Sequence, residues 1–317
     1  MALSTVPVSV VIPVFNHFPA LADAVRSAQR QTTPPAEIIV IDDGSTDGSA
    51  QAALQTEPGI GGPALLRVVR QPNGGPSAAR NRGITMADQE WVAFLDADDL
   101  WFPERLELQW GIVSGRPGTV LCSADWLRPG VPRPTGPVPS PTFWSSVQAT
   151  PRILWLNRFQ TSTVLARRSA LLEAGLFDPS MDGFEDWDLW MRVAALGEIA
   201  HLPYPLVVYP DTPGGVSKDT HRAYTRGLDR LTRYRRGEGN PAVARWVTPK
   251  VLVWHQLRFA FAFRRLGDRE MARHCLRQSW RPGSRLVAVR VAALGLAPFL
   301  LGRILRRLRP GRPDNGR

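Results

Sequence analysis

Asp96, Asp98 and Asp99 close the run Phe94-Leu95-Asp96-Ala97-Asp98-Asp99. The residues before them, Trp91 to Leu95, are apolar and read as a buried strand. Three carboxylates this close repel one another, and a protein core does not tolerate them unpaired. A divalent cation resolves the conflict, because Mg2+ and Mn2+ prefer carboxylate oxygen and share it with substrate phosphate. An acidic turn ahead of a helix is the other reading, since Pro103-Glu104-Arg105 has the form of a helix start. At this point both stay open.

The elements that would carry such a turn can be read upstream. Val8 to Val14 is a β-branched run suited to a central parallel strand, with Pro13, Phe15 and Asn16 at its end. Leu21, Ala24, Val25 and Ala28 then recur with helical spacing. Glu37 to Ile41 is a second buried strand, ending in Asp42-Asp43-Gly44-Ser45-Thr46-Asp47, where Ser45 or Asp47 can also cap a helix. Strand, helix, strand is the βαβ unit, and in such sheets ligands bind beyond the carboxyl ends of the strands. Pro13 to Asn16, Asp42-Asp43 and Asp96 to Asp99 all fall at such ends. Leu65 to Val69 is a further strand. Six prolines between 128 and 141 make an extended loop, which either borders an acceptor or is a surface excursion. Leu202 to Tyr209 is a late strand, and from about 220 the pattern is helical. Trp246 to Arg265 reads as one helix closed by Gly267, and Asp268 as the cap of another over 269–280.

In order along the chain come Val8 to Asn16, Asp42 to Asp47, Asn73 to Gly83, Phe94 to Asp99, Ser162 to Arg168, Gly175 to Asp178 and Gly183 to Arg192. Together they resemble glycosyltransferase family 2 over about residues 7–220. The resemblance implies an α/β fold of GT-A type: a Rossmann-like, mostly parallel central sheet flanked by helices, here with a C-terminal helical appendage. It also implies a nucleotide-sugar donor, a divalent cation (Mg2+ or Mn2+) and inversion at the anomeric carbon.

By that resemblance Asp98 is a direct metal ligand, with Asp96 beside it or on the donor ribose. Asp43 accepts from the nucleobase, Phe15 stacks on the base against Pro13, and Asn16 and Asp42 complete the donor side. Arg80 lies near the diphosphate or, alternatively, is paired within the acidic site. Asp186 matches the general base, with Glu185 and Trp187 on the acceptor side. Trp190 reads rather as core, and Asp188 has an alternative as partner of the helix dipole. One departure stands out: the family's Tyr-x-x-His-Pro-Gly becomes Tyr209-Pro210-Asp211-Thr212-Pro213-Gly214, so Thr212 replaces the histidine. Asp211 is a substitute ligand, and Ser217 and Lys218 are either a phosphate clamp or a plain loop.

Charge separates the tail from the rest. The net charge is +11. Residues 264–317 hold fourteen arginines and three acids, while the preceding residues balance. The basic character therefore gives no reason to expect nucleic acid as a partner of the enzyme domain. Arginines at 265, 269, 273, 277, 281 and 285 repel at helical i,i+4 spacing unless an anion relieves them. The apolar stretch 287–301 is interrupted by Arg290, Gly295 and Pro298, which favours a helix lying on an anionic membrane surface, with a solvated or dimerising helical tail as the alternative, over a span of ~20 apolar residues. Two distant cysteines, Cys122 and Cys275, read as reduced thiols, and the short N-terminus before the first strand leaves no room for a signal peptide. These features together predict a cytoplasmic protein, peripheral at the inner face of the cell membrane.

The expected organisation is a GT-A domain over 1–220, with a donor half to about 113 and an acceptor half over 114–220. A helical extension over 221–285 and a basic amphipathic tail over 286–317 follow. The expected function is sugar transfer to a carbohydrate or lipid-linked acceptor hydroxyl in cell-surface polysaccharide or glycoconjugate synthesis. A non-catalytic, nucleotide-binding homologue is the alternative. A nucleotidyltransferase would want a basic Gly-rich loop after the first strand, and Pro13 to Phe18 is not one. A glycoside hydrolase would use two carboxylates without the nucleotide-side motifs.

Overall fold

Asp96 to Asp99 do follow a buried strand, and that strand lies where the order of the sheet reverses. The computed structural model describes residues 5–55, 64–157, 159–181, 183–210 and 219–279. Within it β1 (Val6–Val14) leads through α1 (Ala20–Gln29) to β2 (Pro35–Asp42), and α2 (Ser49–Leu54) precedes β3 (Leu65–Arg70). Then α3 (Gly75–Met86) crosses back to β4 (Trp91–Phe94), on the other side of β1. β5 (Leu100–Trp101), α4 (Arg105–Val113), β6 (Thr119–Leu127), β7 (Thr142–Trp144) and α5 (Ser146–Trp155) follow. Next are β8 (Leu165–Arg167), α6 (Arg168–Glu173), α7 (Glu185–Ala194) and β9 (Glu198–Val208).

The nine strands form one sheet in the order β3-β2-β1-β4-β8-β6-β9-β5, with β7 paired to β9. β3, β2, β1 and β4 are mutually parallel, as their uninterrupted apolar runs require. β8 enters antiparallel between β4 and β6. Ser9 and Glu37 pair inside this core: Ser9 Oγ donates to Glu37 Oε1 at 2.6 Å, and Arg67 meets Glu37 Oε2 at 2.6 Å. β1 leads to one side and β4 closes the other, so a crevice opens at their carboxyl ends.

Close packing fixes α3 on that sheet. A methyl group at Gly83 would overlap Val11 Cγ1 and stand 3.0 Å from its Cγ2. Only a glycine lets the helix lie this near β1. Phe94, Phe177 and Trp190 form an aromatic triad with centroids 5.6–5.8 Å apart, which seats α7 against β4. Trp190 is thus core, fully buried.

The chain divides into two compact units, Met1–Gly227 and Leu228–Arg317, and the division falls inside α8 (Thr220–Arg235) rather than at its start. The second unit holds α9 (Pro241–Ala244), α10 (Pro249–Arg265) and α11 (Arg269–Ser279). The helix expected from Trp246 begins instead at Pro249, because the pyrrolidine ring fits the first helical position and Thr248 remains extended. Asp268 caps α11 as expected, accepting from Met271 N at 2.9 Å. The expected capping of α2 by Ser45 or Asp47 does not occur: Gly48 holds the cap position, and Asp47 instead accepts from Phe18 N and Ser49 N. Cys122 and Cys275 are both free and buried. No helix among the described residues is long and apolar enough to cross a membrane. The basic tail 286–317, Asp211, Thr212, Ser217 and Lys218 lie outside the described residues.

Candidate active site

Three strand ends meet at the crevice. Leu95 N donates to Val11 O at 3.1 Å and Asp43 N to Val14 O at 2.8 Å, so the turns after β4 and β2 hang from β1. At the end of β1, Asn16 adopts a left-handed conformation (φ 56°), which asparagine tolerates better than most residues. Its Oδ1 accepts from Thr46 N at 2.8 Å and its own N–H donates to Ser45 Oγ at 3.0 Å, lacing the two turns together. Pro13 is buried beneath them, while Phe15 is 47% exposed and presents a ring to solvent.

Asp42 and Asp43 take up local duties. Asp42 is fully buried, and its Oδ1 accepts from Ser45 N at 2.7 Å. It therefore shapes the loop instead of facing a ligand, which corrects its expected place in the donor pocket. Asp43 Oδ1 accepts from Gln71 Nε2 at 2.7 Å and Gly74 N at 2.9 Å, and Oδ2 from Gly75 N at 2.8 Å. A carboxylate offers about four acceptor positions, so Asp43 keeps little capacity for a nucleobase and organises the entry to α3.

A charged centre is built round Arg80 of α3. Arg80 is buried, with Nη2 2.7 Å from Asp96 Oδ1 and Nη1 3.4 Å from Glu185 Oε1. Burial alone would lower its pKa, but Asp96 and Glu185 outweigh that and raise it. Arg80 is thus paired inside the acidic site, the alternative allowed for it from the sequence. Glu185 Oε2 also accepts from Gly183 N at 2.7 Å, and Asp186 follows on the first turn of α7. Burial and the neighbouring Glu185 push Asp186 up to about 7. Asn157 Nδ2 donates to Asp186 Oδ2 at 3.3 Å.

Around the turn after β4, burial and the charge of Asp96 push Asp99 up to about 8, with Asp98 adding to the effect. Asp99 is fully buried, whereas Asp96 and Asp98 keep partial contact with solvent. Among the described residues no three His, Cys, Asp or Glu side chains form a ready-made metal cage. Two accessible carboxylates nevertheless fit Mg2+ or Mn2+, hard cations that are commonly held by one or two carboxylates with substrate phosphate supplying the rest. Such an ion would offset the mutual repulsion of Asp96, Asp98 and Asp99.

Trp187 departs from expectation. Its indole is 7% exposed, stacks near Phe184 (centroids 5.0 Å apart) and donates Nε1–H to Ile153 O at 2.6 Å. It packs α7 on α5 and offers no face to an acceptor sugar. Asp188 pairs with Arg192 at 2.8 Å. The loop 128–141 is extended as expected, and Arg133 pins it over Phe102 and Tyr204. Sequence reasoning gave no individual role to Asn157, Gln160 or Ser162. All three touch site carboxylates from a segment about sixty residues beyond the acidic turn, a distance over which no local spacing rule operates.

The family model described as glycosyl transferase family 2 matches residues 9–158. An uncharacterized glycosyltransferase of Rickettsia felis is 28% identical over 227 residues, covering 72% of this chain and 36% of that protein. The chain spans little more than a third of the length of the Rickettsia relatives it matches. The succinoglycan biosynthesis protein ExoU of Rhizobium meliloti is 42% identical over 106 residues, 33% of this chain and 30% of that protein. Among solved structures, S. aureus TarS 1–349 in complex with UDP-GlcNAc superposes with TM-score 0.60 at 17% identity, over 87% of this chain and 92% of that one. The mannosyltransferase PcManGT of Pyrobaculum calidifontis, in complex with GDP-Man and Mn2+, gives TM-score 0.59 at 19% identity, over 96% and 86%. Residues 9–158 thus resemble glycosyl transferase family 2, and the strand order and superpositions give the N-terminal unit a GT-A fold.

Proposed function

We propose that this chain is an inverting, metal-dependent glycosyltransferase that moves a sugar from a nucleoside diphosphate sugar to an acceptor hydroxyl in polysaccharide synthesis. The observation that carries the reading is the bridge through Arg80. One guanidinium joins Asp96, on the donor side, to Glu185, next to Asp186 at the start of α7. Two motifs about ninety residues apart in sequence thereby share one charged centre.

Phe15 offers its exposed ring to the base. Asp96 and Asp98 would hold the divalent ion, whose chemistry when bound is to neutralise charge on the departing diphosphate. Arg80 keeps Asp96 in place and adds fixed positive charge near that group. Asp186 has a carboxylate basic enough, at about 7, to take the proton of an attacking hydroxyl near neutral pH. Asn157 holds its Oδ2 in orientation. Attack opposite the leaving group inverts the anomeric centre.

UDP-GlcNAc and GDP-Man, the donors in the TarS and PcManGT complexes, are the first probes. With Mn2+ and radiolabelled donors, the wild-type chain is expected to transfer or slowly hydrolyse one of a donor panel. Asp186→Asn is expected to abolish transfer while donor binding survives. Donor binding with no turnover by the wild type against any acceptor pool would instead indicate the non-catalytic homologue, and loss of donor binding in the variant would refute the base assignment. The tail reading also stands as a proposal: α11 carries Arg269, Arg273 and Arg277 in one stripe, leading into the basic segment beyond it. A chain ended after Ser279 is expected to lose flotation with anionic vesicles, and equal flotation of both forms would remove the tail as anchor.

A further inference from the structure

We propose that Ser162, with the segment Gln160–Val164, is a positioning element that sets the spacing of the Asp96 and Asp98 carboxylates for the divalent ion. The inference rests on the metal-dependent reading above. Between Phe94 and Trp101 the chain leaves β4, turns through the three aspartates and enters β5. The segment 160–164 grips it on both flanks. On the incoming side Phe94 N donates to Val164 O at 3.2 Å, and Asp96 N donates to Ser162 Oγ at 2.9 Å. On the outgoing side Ser162 Oγ donates to Asp99 Oδ2 at 2.5 Å, and Gln160 Nε2 donates to the same oxygen at 2.7 Å. Trp101 Nε1 then donates to Ser162 O at 3.1 Å.

One hydroxyl therefore accepts from the first residue of the turn and donates to the last. Its single proton is committed to Asp99, because the Asp96 N–H already supplies the other bond. Ser162 is fully buried, so water does not compete for either bond. What lies between the two anchored points is Ala97, which is buried, and Asp98. Clamping both ends of so short a turn leaves Asp98 few backbone conformations. The spacing of the two accessible carboxylates is then set from beneath the turn, by a side chain that touches no substrate. Bonds of this kind around ligating carboxylates govern metal affinity strongly.

The test uses the full-length chain and Mn2+ alone, read as loss of the free-ion electron paramagnetic resonance signal, so that it needs no donor and no acceptor. Ser162→Ala removes the hydroxyl with little change in volume. It is expected to weaken Mn2+ binding by about tenfold, the low end for residues that support a metal's ligands from outside the coordination shell. Ser162→Thr keeps a hydroxyl and is expected to recover at least part of the affinity. Ser123→Ala is the comparator: Ser123 is equally buried on β6, but bonds His201 Nδ1 at 2.9 Å and is outside the turn. It is expected to lower the unfolding midpoint and leave Mn2+ affinity unchanged. Equal effects of Ser162→Ala and Ser123→Ala, or none from either, would overturn the positioning role while leaving the enzyme reading intact. No Mn2+ uptake by the wild-type chain, even with UDP or GDP added to supply phosphate oxygen, would overturn both.

Discussion

Replacing Arg80 with methionine keeps most of the side-chain volume and removes the charge that, among the described residues, joins Asp96 to Glu185. Its guanidinium is 7% exposed, against 26% for the Asp96 side chain and 11% for Glu185. Breaking a buried ion pair by deleting one partner costs about 3–5 kcal/mol, since the other charge remains desolvated. Asp96 retains some contact with water, so the lower end, about 3 kcal/mol, is expected at pH 8. The loss should depend on pH, with a definite sign. Asp186 is already raised to about 7, and Arg80 is one of the groups holding it down. Without Arg80 its folded pKa rises further above the unfolded value. A carboxyl with a raised folded pKa loses stability as pH climbs from the unfolded pKa through the folded one. The variant should therefore lag the wild type by a constant amount below about pH 6 and fall further behind as pH climbs through about 7 toward 8. Urea unfolding of both proteins at several pH values measures this directly, and Mn2+ should restore part of the loss at pH 8. A penalty below about 1 kcal/mol at pH 8, the value of an exposed pair, or one independent of pH, would show that Arg80 is not the keystone of the acidic cluster.

Gly83→Ala should destabilise the first unit by about 1–2 kcal/mol although alanine is the better helix former, because its methyl overlaps Val11. Val11→Ala in that background should recover most of the loss, and strict additivity in the double-mutant cycle would refute the overlap. The rate of sugar transfer should rise with pH through an apparent pKa near 7, as Asp186 loses its proton. Glu185→Gln should move that midpoint to lower pH by removing a neighbouring negative charge, and an unmoved midpoint would dissociate Asp186 from the rate.

The strands of the donor half were legible because burial on both faces writes a continuous apolar run, as in β1 and β2, and because carboxylates at their ends mark the functional edge. The face of α1 was equally plain from Leu21, Ala24, Val25 and Ala28, all buried. The start of α10 was misplaced because Trp246 continues the apolar period, whereas Thr248-Pro249 decides the boundary through backbone geometry. Trp187 and Asp42 were misread for a common reason. A residue's type says that it can stack or ionise, but only three-dimensional packing says whether it faces out. Ser162 and Asn157 make contacts with residues far off in sequence, and the motif Ser162 to Arg168 marks its segment without saying which carboxylate the Ser162 hydroxyl meets.

The start of α3 carries a consequence for how anions are handled. Gly74 and Gly75 direct their N–H groups at the Asp43 carboxylate, which occupies the place a bound phosphate takes in folds that use a helix terminus as a receptor. The protein has furnished its own internal anion there. A nucleotide approaching this rim finds that receptor already filled, so its diphosphate must draw positive charge from elsewhere. Swapping Asp43 for a small neutral residue would unmask two amide donors at a helix start, and the rim is then expected to retain free phosphate.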